Sequence, residues 1–348
     1  TEQPEIVDAQ EIVGRTIYDI AATRDGQLLL AAAESLHHVS PSPMQSPADL
    51  RLVRNDLLGT RFAEIEPDGD GGFWLGGRSL AHVDVAGRLR LIEAQGLQPG
   101  FMQHLAPDKG GVWIAQVRVG IGRYDDATRT VTYLTPPTSV LAAGFAATGA
   151  AVHGQRVYIG SRQGLHVYDT GESEWIDHWA HDTTAPNAPG SLSGHTVTRV
   201  CIVNGRVLVA TENGVDEWNL ATDERRRLFD GEALWVDAAV GSDQVWVATR
   251  AGVVRIDGDG NTQRFREGLP DQTVTGVVAG PAGVLAVTPA GTCRLRDTGR
   301  FESIPGVRAE FSENSAAFTN DGVIALGDRG IAWAGASTDD AKAGPPRI

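Results

Sequence analysis

Two kinds of stretch alternate along this chain. Short, almost uniformly apolar runs such as Leu28-Leu29-Leu30-Ala31-Ala32, Val112-Trp113-Ile114-Ala115 and Val245-Trp246-Val247-Ala248 are separated by segments in which apolar and polar residues alternate. The apolar runs have the length and β-rich composition of strands buried on both faces, and the period-2 segments read as strands with one exposed face. A turn with a Gly or an Asp/Asn-Gly pair precedes most apolar runs, as in Asp25-Gly26, Gly71-Gly72, Gly110-Gly111, Asn204-Gly205 and Asp321-Gly322. From Leu28 to Val323 the first apolar positions of successive runs lie 45, 39, 45, 50, 38, 39 and 39 residues apart.

Eight copies at a period of roughly 40 residues, each with four short strands, are the pattern of a β-propeller. Within a copy, strand A precedes the turn (Ile17–Ala21, Phe62–Glu66, Val197–Ile202) and strand B is the apolar run. Strand C follows a second turn (Leu80–Val83, Gly252–Ile256). After a hairpin rich in Asp, Gly, Thr and Asn, strand D ends the copy (Thr262–Phe265, Arg300–Ile304). The eighth copy, Ser315–Ala334, has no strand D of its own. The N-terminal run Glu5–Gly14 matches the D strands and their exit loops at Leu91–Leu97 and Arg264–Leu269. The expected fold is therefore all-β, an eight-bladed propeller over residues 1–338 whose last blade is closed by the N-terminal strand. Residues 339–348 are expected to lie outside the propeller as a Pro-rich C-terminal linker.

Composition narrows the function. A formal net charge of -14 repels phosphate backbones, so no nucleic-acid partner is expected. The two cysteines, Cys201 and Cys293, lie in different repeats and are expected to be buried thiols. The longest uncharged apolar stretch, near Val140–Val152, is too short to span a bilayer. Any membrane attachment is expected only through a downstream segment.

The junction Gly268–Val278, GLPDQTVTGVV, resembles the blade junction of two-component-regulator propeller sensor domains. So does Ser191–Val200, SLSGHTVTRV, after Trp179-Ala180-His181-Asp182. Val112–Ala115 and Val245–Asp257 are similar to that family's strand B, turn and strand C. The strand B Trp is replaced by Leu29, Tyr158, Leu208, Leu285 and Ile324 in five copies, all apolar. The resemblance implies a periplasmic, exported ligand-binding domain of a membrane receptor with a histidine kinase or diguanylate cyclase output. Pro345-Pro346 would then lead toward the rest of the receptor, the alternative being a free secreted propeller with a Pro-rich tail. It implies a small-molecule or oligosaccharide ligand, no catalysis by the propeller, and signalling through the geometry of paired propellers, hence a possible homodimer.

Strand A lines the channel of a propeller. Aligning the copies on strand B puts Asp19, Glu64, His104, Gly149, Arg199, Asp237, Gly276 and Ser315 at one inner level. The charged members Asp19, Glu64, His104, Arg199 and Asp237 are the expected ligand-binding set, against the alternative that they pair with one another around a water-filled mouth. His38, His82, Arg123, Glu217, Arg255 and Arg294 share a strand C position and are expected to form a solvent-facing stripe. His37-His38 with His82 lacks metal-site spacing, and Asp257–Asn261 and Asp68–Gly71 imitate calcium loops without the closing Glu. No metal and no cofactor are expected. The loops Trp179–His195 and Ser40–Ala48, with Trp175, Trp179, Trp218 and Trp235, are further places for binding residues. The alternatives to a sensor are a propeller lyase or hydrolase acting on a polysaccharide or antibiotic, for which only His104 beside Glu64 offers acid–base chemistry, and a protein-interaction scaffold.

Overall fold

The structure, a computed structural model, describes residues 62–136, 146–186, 188, 190–280 and 283–304, together with strands at 5–7, 17–22, 28–32, 35–39, 50–54, 316–319, 322–327 and 330–335. The Ser40–Ala48 insertion, Ser315 and the segment 339–348 lie outside the described residues. Every strand belongs to a four-stranded antiparallel sheet, and no helix occurs among the described residues.

The sheet built from β10 (Met102–Asp108), β11 (Gly111–Gln116), β12 (Gly120–Asp125) and β13 (Thr130–Tyr133) shows how sequence becomes blade. Val112, Trp113, Ile114 and Ala115 of β11 are fully buried, because the sheet packs against a neighbour on each face. Trp74, Leu105, Ile114 and Tyr124 form the core toward the preceding blade, while Trp113, Ile121 and Ile159 form it toward the next. Turns between strands B and C repeat one device. Thr249 donates its hydroxyl to the Gly252 carbonyl at 2.7 Å and accepts the Ala251 N–H at 3.1 Å. Gly252 has φ +102°, and a Cβ there would stand 2.5 Å from the Phe265 carbonyl oxygen, so only glycine closes the turn. Thr288 and Gly291 repeat the contact at 2.7 Å.

The inner strands are β2 (Ile17–Ala22), β6 (Phe62–Pro67), β10, β14 (Ala147–His153), β18 (Val197–Val203), β22 (Trp235–Asp237), β26 (Gly276–Gly280) and β30 (Ala316–Thr319). Each lies against the next around a ring, and β30 lies against both β26 and β2. The expected eight-bladed propeller is corrected on its blade count: described side chains build seven packed blades. Strand pairing adds one more four-stranded sheet, in which β30 and β31 (Gly322–Gly327) are followed by β32 (Gly330–Gly335) and β1 (Glu5–Val7). No side chain of that sheet is described, so the packed core rests on seven. Its outer pairing is antiparallel, with Glu5 opposite Trp333 and Val7 opposite Ile331.

A second correction concerns strand C. The expected solvent-facing stripe is largely enclosed: Glu217 and Arg294 are buried, and His82 and Arg123 are only partly exposed. Register explains this. Arg123 sits opposite Trp113, His82 opposite Trp74 and Glu217 opposite Leu208, so each lies beside a strand B residue packed between blades. The charges are satisfied there: Glu217 takes Arg206 at 3.1 Å and Arg226 at 2.9 Å, and His82 Nε2 meets Asp68 at 2.8 Å.

Candidate functional site

Five inner strands carry a register shift at the same place, immediately before Asp19, Glu64, His104, Gly149 and Arg199. The bulge re-aims the backbone, and these five residues share one level of the ring. In the sixth blade the pairing differs. Trp235 lies opposite Ala248, as His104 lies opposite Ala115, whereas Asp237 lies opposite Trp246. Asp237 therefore stands two residues further along, level with Glu66, which faces Trp74. The expected placement of Asp237 in the ring is corrected to Trp235. The three-residue strand β22 and the long segment Ala238–Gln244 before the next strand shift the count.

A cavity of about 200 Å³ opens on the inner faces of β6, β10, β14 and β18. Its walls include Glu64, Glu66, His104, Gly149, Arg199 and Cys201. Of the five expected site residues, the structure gathers Glu64, His104 and Arg199 here. Asp19 and Asp237 flank it and bind the following blade. Asp19 is fully buried and accepts the Ile65 N–H at 2.6 Å and its neighbour Ile20 N–H at 2.8 Å; Asp237 accepts the Ala279 N–H at 2.9 Å. Glu66 and Cys201 belong to the wall and were not among the expected residues. Both follow from period 2, since each lies two residues beyond an expected one on the same strand face.

The electrostatics of this wall are uneven. Burial, with repulsion from Glu64, pushes the Glu66 carboxyl up to about 8, against a lowering pull from Arg199. Glu66 is partly exposed to the cavity, so enclosure between blades and its carboxylate neighbour carry the shift together. Burial raises Asp19 well above the carboxylate range, with Glu64 and Glu66 adding to it, and raises Asp237 to about 6. Glu64 is 5% exposed, and its Oε1 has no hydrogen-bond partner. His104 Nδ1 approaches that oxygen to 3.4 Å. The Arg199 guanidinium lies 3.7 Å over the Trp235 ring, and its buried Nε also lacks a hydrogen-bond partner. Among the described residues, no carboxylate forms an ion pair with Arg199.

A larger cavity of about 440 Å³ lies between the third and fourth blades, beside Asp108, Lys109, Trp113, Arg123 and Tyr168. Much of its polar chemistry is already used internally. Arg123 binds Asp108 through two nitrogens, at 2.7 and 3.0 Å, and Asp125 at 2.9 Å, while Trp113 Nε1 donates to Asp108 at 2.9 Å. Buried polar atoms without partners mark the smaller cavity as the stronger site, because such atoms are costly unless something satisfies them.

Trp179, Trp218 and Trp235 are core residues, and Trp175 is half-buried with Nε1 donating to the Thr135 carbonyl at 2.9 Å. The loop from Trp179 to His195 is tied down by Ser193, whose backbone N–H and hydroxyl both reach Asp216. The Asp68 and Asp257 segments are side-chain-capped turns, with Asp257 accepting the Asp259 and Asn261 N–H groups. Both cysteines are free; Cys293 is buried and Cys201 half-buried. Among the described residues, no three His, Cys, Asp or Glu side chains gather as a metal site, and no helix is long and apolar enough to cross a membrane.

No family model and no curated protein matches the sequence. Solved structures do match its shape. The computationally designed Ika8 protein aligns with a TM-score of 0.66 at 14% identity, covering 92% of this chain and 96% of that one. The extracellular domain of BT4673 from B. thetaiotaomicron, described as a hybrid two component system, gives 0.60 at 11% identity. That match covers 96% of this chain, which spans only 40% of that domain. A streptogramin B lyase gives 0.60 at 13% identity, covering 81% of this chain and 93% of that enzyme. At these identities the likeness establishes the β-propeller fold.

Proposed function

We propose that this chain is the extracytoplasmic ligand-binding module of a bacterial signalling receptor, and that it binds without catalysing. The observation that carries the reading is the inner cavity, where a buried carboxylate oxygen and a buried guanidinium nitrogen both lack hydrogen-bond partners. A rigid ring that sets the side chains of Glu64, His104 and Arg199 on one cavity wall is arranged for an occupant. The shared fold of extracellular domains described as two-component systems supports the setting, and this chain would be one part of a longer receptor. Ligand binding would leave the ring itself little changed and would act on how it meets neighbouring domains or a second copy.

A lyase is the second reading. It is favoured by the 3.4 Å approach of His104 to Glu64, since acid–base chemistry needs two titratable groups within reach of one substrate. A thermal-shift screen of the purified chain against small acids, amines, amino acids, oligosaccharides and divalent metals separates the two. An occupant at about 100 times its dissociation constant stabilises by roughly 2.7 kcal/mol. A shift with the compound recovered intact is the expected result. Turnover of the compound would replace the sensor reading with the enzyme.

A further inference from the structure

We propose that the inner cavity takes a small zwitterion, a molecule carrying an ammonium and a carboxylate a few bonds apart, on the scale of an amino acid. This rests on the ligand-binding reading above. Its basis is the opposite charge of two side chains on the cavity wall, Glu64 and Arg199. Glu64 Oε1, on a side chain about nineteen-twentieths buried, can only accept hydrogen bonds when ionised. Arg199 Nε can only donate. They stand on different inner strands, β6 and β18, across a wall shared with His104 and the small residues Gly149, Ala150 and Ala151.

A cation alone would pair only with the Glu64 carboxylate, and an anion alone only with the Arg199 guanidinium. A ligand bearing both charges satisfies each. Stacking on Trp235 at 3.7 Å holds the guanidinium plane while leaving its edge to bind. Glu66, on the same wall between Glu64 and Arg199, keeps its proton to about pH 8 and so adds an O–H donor. Size agrees. At about 30 Å³ for each liquid water, a cavity of about 200 Å³ displaces on the order of seven waters. The backbone of a small amino acid fits that space.

The test is calorimetric titration of the purified chain with glycine, L-alanine and γ-aminobutyrate, against ethylamine and propionate as single-charge halves. The expected result is that at least one zwitterion binds at least tenfold more tightly than either half. Glu64→Gln and Arg199→Met should each weaken that binding tenfold or more, and Lys109→Ala, in the larger cavity, should not. Arg199→Lys, which keeps the charge, covers the case in which the methionine variant fails to fold. Equal binding of a half and the zwitterions overturns the proposal. So does silence of every zwitterion while another compound from the broader screen binds and is lost in Glu64→Gln, an outcome that preserves the ligand-binding reading. If no compound binds and none of these variants changes any titration, both fall.

Discussion

Glu66 stands on the cavity wall between a second carboxylate, Glu64, and the Arg199 guanidinium, with His104 on the neighbouring strand. Its proton is held to about pH 8 when folded and would leave near pH 4.5 in an unfolded chain. The folded state therefore binds the extra proton, and the stability this group contributes is fully present below about pH 4.5 and is lost as pH rises through about 8. Replacing Glu66 by Gln makes the neutral form permanent. The expected outcome is a melting temperature that falls less between pH 5 and pH 8.5 than in the parent chain, with the variant more stable by roughly 1–3 kcal/mol at the upper end. A remaining slope is expected from Asp19 and Asp237, which are raised by burial in the same direction. Parallel pH profiles for the two proteins would show that Glu66 titrates as an ordinary surface carboxylate. Asp19 makes a contrasting case. It sits at the same ring level as Glu64, but its oxygens are taken by the Ile20 and Ile65 N–H groups. Asp19→Ala should destabilise by about 2–3 kcal/mol through the orphaned amide of the next blade, with the cavity residues left in place; chemical denaturation measures this.

At the scale of the strand, β1 gives β32 its outer partner across three residue pairs. Removing residues 1–12 leaves that edge unpaired, exposing a row of N–H and C=O groups to water and to other chains. The truncated protein should melt lower by roughly 5 °C or more and should aggregate more readily; an unchanged melting temperature would mean that this strand pairing adds nothing to the fold. The strand is also where sequence and structure compare most directly. Strand B was legible because a run such as Val245-Trp246-Val247-Ala248 is buried on both faces and so carries the same signal in every copy. Inner positions on β6, β10 and β18 were legible because the same bulge recurs before each. Asp237 was misplaced because β22 lacks that bulge and the segment after it is longer, and a count back from Trp246 cannot see either. Strand C misled for another reason. Alternation of apolar and polar residues marks two different faces, but it does not distinguish water from an adjacent blade whose charges are paired, as Glu217 with Arg206 and Arg226 shows. Glu66 was available from period 2 once Glu64 was chosen, whereas the orphaned state of Glu64 Oε1 and Arg199 Nε depends on how four blades meet and has no trace in local pattern.

At the scale of the whole molecule, stability depends on how many neighbours each blade has. In an open repeat array the end units have one neighbour each and can fray. Here each inner strand touches two others, and β30 lies against both β26 and β2. Losing any one blade would strip the packed face from two more, including clusters such as Trp179, Val200 and Trp218 or Trp246, Phe265 and Phe301. Side-chain bonds also cross between blades, from Thr148 to the Val197 carbonyl at 2.6 Å and from Thr198 to the Ala233 carbonyl at 3.1 Å. The ring should therefore unfold as one unit despite its 348 residues. Eight tryptophans at positions 74, 113, 175, 179, 218, 235, 246 and 333 make intrinsic fluorescence a reporter on most of the chain. The expected outcome is that urea curves followed by fluorescence and by far-ultraviolet circular dichroism coincide in midpoint and slope. Separate midpoints would mean that blades detach in groups, and a ring that opens so easily would be a poor frame for a cavity assembled from four of them. Coincidence would place the conformational response to a ligand outside the ring, in how the propeller sits against whatever it contacts.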